Sequence, residues 1–155
     1  MLDHLDRRLL KALQRDGHAT AQDLAERLPL SASQIARRRQ RLEAEGYVAG
    51  YRAVLDPVRL GLTVEAFVQV AMEAHSPQNA EAFRRLVALQ PEITAAWTLT
   101  GEADYLMRVH CADLAALNRL VHDVLLAHPA VARVRSQIVM ARIKDDAPLP
   151  VPEAP

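Results

Sequence analysis

The sequence predicts an α+β protein with two modules, a helical first half and a second half in which strands and helices alternate. In the first fifty residues, apolar side chains such as Leu5, Leu9 and Leu13 recur at helical spacing. From Val64 to Met72 the period changes to two, which is typical of a strand with one buried face. This change of period separates two modules of different structure.

Length and composition limit the class of protein. A chain of 155 residues accommodates one mid-sized domain or two small ones, and 50% hydrophobic with 25% charged residues fits a folded soluble protein. No apolar run approaches the roughly 20 residues that span a bilayer, and the N-terminus has no signal-peptide core. The single cysteine, Cys111, cannot form an internal disulfide, which fits a reducing compartment. We therefore expect a cytoplasmic protein that does not bind membranes.

The first two helices carry recognisable start and stop signals. Asp3 or Asp6 is suited to cap the first helix, and Thr20 to cap the second by accepting a hydrogen bond from the Asp23 amide. Pro29 is expected to end the second helix, because it pushes the residue before it out of helical geometry.

A third helix is predicted from Ala32 to Ala44. Ser31 and Gln34 form a capping box at its start, and Gly46 is placed to end it in a left-handed conformation. A helix-turn-helix consists of two short helices joined by a short turn, and the second and third predicted helices have this arrangement, with a serine at the start of the latter. The residues after Gly46 are rich in aromatic and β-branched types and predict a short extended segment, so the module is winged-helix-like.

The second half has the order β-α-β-β-α-β of a ferredoxin-like domain. Strands are predicted at 64–72, 93–100, 105–111 and 131–143, with helices beginning after Ser76 and Asp113. We therefore expect a helix-turn-helix domain at 1–52, a linker at 53–62, and a ferredoxin-like domain at 63–145. Residues 146–155 hold four prolines and predict an extended or disordered tail.

Positive charge is concentrated in the third helix, although the chain as a whole is neutral. Residues 31–41 contain four arginines and no acidic residue. Ile35 and Leu42 fall on one helical face, and Gln34 with three of the arginines falls on or near the opposite one. Arginine and glutamine can bind base edges in the major groove, and serines at a helix N-terminus favour phosphate. The predicted DNA-binding residues are Ser31, Ser33, Gln34, Arg37, Arg38 and Arg41. A solvated basic face is the alternative, which the preceding capped helix and short turn disfavour.

Several separated motifs resemble one family. "LDRRLLKALQRDGHATAQDLAERLPLSASQIARRRQRLEAEGYVAGYRAVLDPVRLG" is similar to the DNA-binding domain of the leucine-responsive regulator/AsnC family, and "TLTGEADYLMRVHCAD" and "HPAVARVRSQIVMARIKDDAPLP" are similar to its ligand-sensing domain. The resemblance covers about residues 2–150. It implies a dimer formed through the sheets of the second domain, assembly into tetramers or octamers, and an amino-acid effector bound between dimers.

Two positions depart from the family pattern. Pro29 stands at the turn where glycine is usual, so the turn geometry is expected to differ slightly. Arg39 stands where valine is common. We expect its aliphatic stem to pack while its head reaches solvent, and we therefore leave it out of the DNA-binding set.

The resemblance also places the effector site. It assigns effector contacts to Gly101, Glu102, Ala103, Asp104 and Tyr105, and with them to Ser136 and Gln137 on the last strand. Taken without the family, a Gly-x-x-Asp segment after a strand indicates a hairpin turn. Trp97 and Thr98 either line the effector pocket as well or pack at a subunit interface.

Two other functions fit parts of the sequence, namely an enzyme and a sensor that does not bind DNA. A siroheme-type tetrapyrrole decarboxylase shares the two-domain architecture and is the alternative, although His110 and Arg108 on one strand are the only hint of its chemistry. A sensor that binds a ligand and a protein without DNA is disfavoured by the arginines. The six histidines show no metal-ligand spacing, and no nucleophile motif or phosphate loop occurs. We therefore predict a non-enzymatic protein without catalytic residues, metal or cofactor, apart from an amino-acid effector.

Overall fold

The computed structural model describes residues 1–73 and 76–152, and these form two compact units. The first unit comprises Met1–Val54 and the described residues from Ile143 onward. The second comprises the described part of Leu55–Arg142. Among the residues described, no helix is both long enough and apolar enough to cross a membrane.

Three helices build the first unit, namely α1 (His4–Arg15), α2 (Ala21–Ala25) and α3 (Ala32–Ala44). Each begins with a capping box, with Asp3, Thr20 and Ser31 as the N-cap residues. The bounds of α3 are those predicted. The second helix is shorter than predicted, because α-helical geometry ends at Ala25 and a turn leads to Pro29.

One apolar cluster holds the three helices together. Leu9 of α1, Leu24 of α2, and Ile35 with Leu42 of α3 are at most 1% exposed. Ile35 and Leu42 are seven residues apart, so they lie on the same side of α3 two turns apart. Their burial determines which side of α3 faces the other helices.

The tail belongs to the first unit. Its described residues, 146–152, form no helix or strand, but the side-chain amide of Gln14 on α1 binds both backbone groups of Leu149, at 2.6 Å to the N–H and 3.2 Å to the carbonyl. Arg7 donates to the Pro152 carbonyl, and Val151 packs against the helical core. An extended or disordered tail was predicted, whereas its attachment to α1 was not.

The second unit is the predicted ferredoxin-like domain. Strands β1 (Val64–Met72), β2 (Ile93–Thr98), β3 (Tyr105–Cys111) and β4 (Val131–Ile138) form one antiparallel sheet in the order β2-β3-β1-β4. Helix α4 (Pro77–Ala88) and helix α5 (Leu114–Arg119), which continues as a π-helix over Leu120–Leu125, pack on one face of it.

Three details of this unit differ from the prediction. Strand β2 ends at Thr98 rather than at residue 100. The fourth strand ends at Ile138 rather than Ile143, because its partner β1 begins at Val64 and Ile138 already pairs with Ala66. The π-helical turn had no sequence signal that we identified. The inward face of the sheet, which includes Val68, Val70 and Met107 at 0% exposure, forms the core with Phe83 of α4.

Candidate DNA interface and effector site

The start of α3 is fixed by its own residues. The Ser31 hydroxyl accepts a hydrogen bond from the Gln34 N–H at 3.3 Å, and the Gln34 side-chain oxygen accepts one from the Ser31 N–H at 2.9 Å. The Ser31 and Ser33 hydroxyls lie 3.1 Å apart. Because capping engages its oxygen, Gln34 presents chiefly its amide nitrogen to another partner. Gly46 has a φ of 76°, as expected for the residue that ends the helix.

Arg37 lies at the centre of the exposed side of α3. Within the described ranges 1–73 and 76–152 it has no ion-pair or hydrogen-bond partner. Ser33, four residues before it, and Gln40, three residues after it, share this side and are also exposed. Gln40 is not among the DNA-binding residues predicted from the sequence, although the same helical spacing identifies it. This surface, made by Ser33, Arg37 and Gln40, is called the outward face below.

Arg38 and Arg41 bind carboxylates of α1. The Arg38 guanidinium contacts Asp3 at 2.5 Å and Asp6 at 2.6 Å, and Arg41 contacts Asp6 at 2.6 Å. The Arg38 side chain is only 20% exposed, so the expectation that it points outward is wrong. Arg41 is exposed, with 44% of its side chain accessible. Helical periodicity gives the angular positions of Arg38 and Arg41 around α3, but it does not show where α1 lies.

The same contacts act on Asp3. Its pKa is raised by desolvation, but hydrogen bonds from the Asp6 N–H and from Arg38 outweigh this effect. The pKa of the Asp3 carboxyl therefore lies below its usual value. Asp3 stays ionised, and paired with Arg38, in moderately acidic solution.

Arg39 joins parts of the helical unit that are distant in sequence. Its guanidinium donates to the carbonyl of Ala19 at 3.1 Å and of Gly17 at 3.4 Å, in the loop between α1 and α2. It also binds Glu43 at 3.1 Å and lies 4.7 Å from the ring centre of Tyr51. Its head is only partly exposed, because these carbonyls and the ring cover much of the side chain, of which 27% remains accessible. Its exclusion from the DNA-binding set is consistent with this arrangement.

Glu43 completes the arrangement around Arg39. It accepts a hydrogen bond from the Tyr51 hydroxyl at 2.9 Å, and this bond, followed by the one from Arg39, holds the pKa of the Glu43 carboxyl below its usual value. Burial raises the pKa of the Tyr51 hydroxyl, which therefore remains protonated and able to donate. The loop, α3 and the segment after it are thus connected through one guanidinium.

The predicted effector segment forms the turn between β2 and β3. Gly101 has a φ of 114°, which a side chain would strain, and the Leu99 N–H donates to the Asp104 carbonyl at 2.8 Å. The Asp104 carboxylate accepts a hydrogen bond from the Met72 N–H at 2.7 Å, where the register of β1 and β4 shifts. Asp104 therefore has a structural task in joining the turn to β1.

The other predicted effector residues lie elsewhere on the sheet. Ser136 pairs with Val68, and Gln137 with Phe67, whereas the turn meets β1 at Val70 and Met72. These positions are two to five residues apart along β1, so at about 3.3 Å per residue roughly 7–17 Å of strand separates the two groups. Ser136 and Gln137 also point to opposite faces, as neighbours on a strand do. Within one chain the two therefore do not both join the turn in a single site.

A small apolar pocket adjoins the turn. It has a volume of about 160 Å³ and is lined by Phe83, Arg84 and Val87 of α4 and by Ala96, Trp97, Thr98, Tyr105 and Met107 of the sheet. Tyr105 belongs both to this pocket and to the predicted effector segment, and its ring centre lies 4.6 Å from that of Phe83. Trp97 and Thr98 therefore share a pocket with Tyr105. The volume lies below the roughly 300–1,000 Å³ of sites for drug-sized ligands, so it suits a small molecule rather than a macrocycle.

A polar cluster on the sheet surrounds His110, which had been considered only as a hint of decarboxylase chemistry. His110 is 9% exposed, with one ring nitrogen 3.1 Å from the Thr94 hydroxyl and the other 3.6 Å from Glu65. Arg142 binds the same Glu65 at 2.8 Å. Desolvation lowers the pKa of His110 below its usual value, although Glu65 opposes the shift. In residues 1–73 and 76–152, no three His, Cys, Asp or Glu side chains are grouped so that they could hold a metal ion.

Comparisons with known proteins agree with the structures of both units. Residues 2–49 match the winged helix-turn-helix DNA-binding family, and residues 65–149 match the Lrp/AsnC ligand binding domain. The chain belongs to the Lrp/AsnC family. In this family member the helix-turn-helix is the DNA-binding domain and the ferredoxin-like unit is the ligand-binding domain.

Relatives along the whole length support the family assignment. The chain is 36% identical over 151 residues to the DNA-binding transcriptional activator DecR of Escherichia coli, which covers 97% of this chain and 99% of the relative. It is 36% identical over 144 residues to the leucine-responsive regulatory protein of Rhizobium meliloti, covering 93% and 92%. The transcriptional regulator NMB0573 of Neisseria meningitidis, solved as an L-Met complex, superposes with a TM-score of 0.92 at 36% identity, covering 97% of each chain. None of these similarities indicates tetrapyrrole decarboxylation.

Proposed function

We propose that this Lrp/AsnC regulator reads DNA through the outward face of α3 and that a small amino acid modulates its DNA binding. The observation that carries the first part is Arg37, which is exposed and unpaired among the described residues between Ser33 and Gln40. A free guanidinium on an exposed helix face can bind guanine bidentately, and Gln40 can do the same for adenine. Ser31, Ser33 and Gln34 at the helix start are proposed to contact phosphate.

The amino acid is proposed to bind at the turn from Gly101 to Tyr105. The Neisseria relative is described as an L-Met complex, and the apolar pocket beside Tyr105 suits an aliphatic or thioether side chain. The Glu102 side chain is 85% exposed and makes a long ion pair of 3.8 Å with Arg133, so an α-amino group can also approach it. Ser136 and Gln137 lie further along the sheet than the turn and face opposite ways, so we propose that they contact an effector held by another copy.

Assembly follows from the same reasoning. The sheet face opposite α4 and α5 carries Phe67, Leu106 and Trp97, and Trp97 keeps 47% of its surface exposed. We propose that chains pair through this face into a dimer and that dimers combine into tetramers or octamers in the cytoplasm. The effector would then act by favouring one assembly, which changes the spacing of the α3 helices. No catalytic step is part of this proposal.

DNA binding is tested on a duplex selected from a random-sequence pool by the wild-type chain. Arg37→Ala is expected to weaken binding by about 1–3 kcal/mol and to flatten the salt dependence, because it removes a base or phosphate contact. Arg85→Ala on α4 is the control, since that side chain is 77% exposed in the other unit. Equal affinity and salt slope for Arg37→Ala and wild type would remove the outward face from the interface.

The effector is tested by thermal shift with each of the twenty amino acids. A ligand at one hundred times its dissociation constant stabilises the folded chain by about 2.7 kcal/mol, which is easily measured. The shift should be reduced in Glu102→Gln and preserved in Glu81→Gln, a surface acid of α4. A chain that none of the twenty stabilises would contradict the sensing half of the proposal.

A further inference from the structure

A buried carboxylate lies beneath the helix that presents Arg37. Asp6 is 0% exposed, and both its oxygens are engaged. One accepts from Arg38 at 2.6 Å, and the other accepts from Arg41 at 2.6 Å and from the Asp3 N–H at 3.0 Å. A buried charge is tolerated only when it is paired and hydrogen-bonded in this way. The two arginines therefore stabilise the buried charge of Asp6, and Asp6 in turn fixes the positions of their side chains.

This arrangement cancels most of the charge of the basic helix. Arg38 and Arg41 are one helical turn apart and reach the same carboxylate, while Asp3 supplies a second negative charge at 2.5 Å from Arg38. Arg39 is likewise paired with Glu43. Of the four arginines between positions 37 and 41, Arg37 alone lacks an acidic partner in the described part of the chain.

We propose that Asp6 is a specificity-determining residue, which withholds Arg38 and Arg41 from the DNA backbone and orients α3 so that Arg37 faces the groove. Phosphate contacts supply affinity that does not depend on sequence, whereas base contacts discriminate between sequences. A helix with four free arginines would bind any duplex strongly. By binding two of them, with Asp3 supplying the second negative charge, Asp6 keeps non-specific binding weak relative to the contacts that Arg37 makes. This inference rests on the proposed DNA binding.

The test is the salt dependence of binding to a random-sequence duplex. Each phosphate that a protein neutralises adds about 0.9 to the magnitude of the slope of log K against log salt concentration. Asp6→Asn keeps the shape of the side chain and removes one negative charge, while Arg38 retains its contact with Asp3, so Arg41 becomes available. The slope should steepen by about 1, and non-specific affinity should rise. A purely structural residue would change the melting temperature without steepening this slope.

Asp23→Asn is the matched control. Asp23 occupies the same position in the capping box of α2, where it accepts the Thr20 N–H at 2.8 Å, but it pairs with none of the α3 arginines. The two variants lose the same type of cap and the same charge. Only Asp6→Asn should steepen the slope, and equal slopes for a folded Asp6→Asn and Asp23→Asn would overturn the proposal.

A second variant keeps the test decisive if Asp6→Asn does not fold. Arg38→Met leaves Asp6 paired with Arg41 and should bind the random duplex with the wild-type slope, because its guanidinium does not reach DNA. A slope reduced by about 0.9 would mean that Arg38 contacts phosphate and that the proposal is wrong. Wild-type chain that binds no duplex at all would instead contradict the proposed DNA binding, so the two failures are distinguishable.

Discussion

Arg39→Met should destabilise the helical unit, even though the replaced residue lies in a basic cluster. Methionine keeps the aliphatic stem but loses the bonds to the Ala19 and Gly17 carbonyls at 3.1 and 3.4 Å, the contact with Glu43, and the stacking on Tyr51. Because Ala19 is 3% exposed, its carbonyl would be left without a partner in a buried place.

The expected loss follows from these contacts. Each hydrogen bond to a carbonyl contributes about 1 kcal/mol net, and the cation–π contact contributes about 0.5 kcal/mol at a partly exposed site. The ion pair with Glu43 contributes a few tenths of a kcal/mol. The ion pair counts for little because the Arg39 side chain is 27% exposed and that of Glu43 40%. Together these give a loss of about 2–3 kcal/mol in the free energy of unfolding.

The measurement is urea unfolding followed by circular dichroism at the helical band. The single tryptophan, Trp97, lies in the other unit, so its fluorescence would not report on α1, α2 and α3. Arg37→Met is the control on the same helix, and it should change stability by less than about 0.5 kcal/mol. Equal stability of the two variants would refute the structural role of Arg39. A loss of DNA affinity in a fully stable Arg39→Met would show that Arg39 contacts DNA instead.

Three further outcomes are expected. Deleting the tail after Ile143 should destabilise the helical unit by about 1–2 kcal/mol, and Gln14→Ala should add little to the deletion, because both remove the Gln14–Leu149 pair; full additivity in circular dichroism would contradict this. The lowered pKa of His110 means that the unfolded chain binds more protons near pH 6. Stability of the second unit, followed by Trp97 fluorescence, should therefore fall as pH drops below about 6.5, and His110→Gln should remove this dependence. Gly101→Ala should cost about 1–2 kcal/mol because of its φ of 114°, and a loss below about 0.5 kcal/mol in the same assay would show that the turn relaxes.

Local features of the fold were predictable because the interactions that define them span only a few residues. The capping boxes at Thr20 and Ser31, the end of α3 at Gly46, and the N-cap at Ser76 each involve groups three or four positions apart. The change from helical to strand periodicity at Val64 likewise needs no knowledge of the rest of the chain. These signals were sufficient to establish the order of elements and both domain types.

Features of the fold that depend on contacts with a distant segment of the chain were less predictable. The end of β4 at Ile138 depends on where β1 begins, and the attachment of Leu149 depends on Gln14, which is 135 positions away. Ser136 and Gln137 were grouped with the turn by family resemblance, and only the strand register shows how far along the sheet they lie. Each of these depends on a pairing between distant segments, which periodicity does not encode.

The arginine cluster shows this division most clearly. By itself the sequence determined that residues 32–44 form a capped helix with Ile35 and Leu42 inward, because hydrophobic periodicity and capping are local. The tertiary structure alone decided which arginines are free, because Asp6 and the Ala19 carbonyl reach α3 from other parts of the chain. The energy of a charged side chain depends on its spatial neighbours. A count of positive residues could therefore indicate a DNA-binding helix, but it could not identify Arg37 as the one arginine of the cluster that has no acidic partner among the residues described.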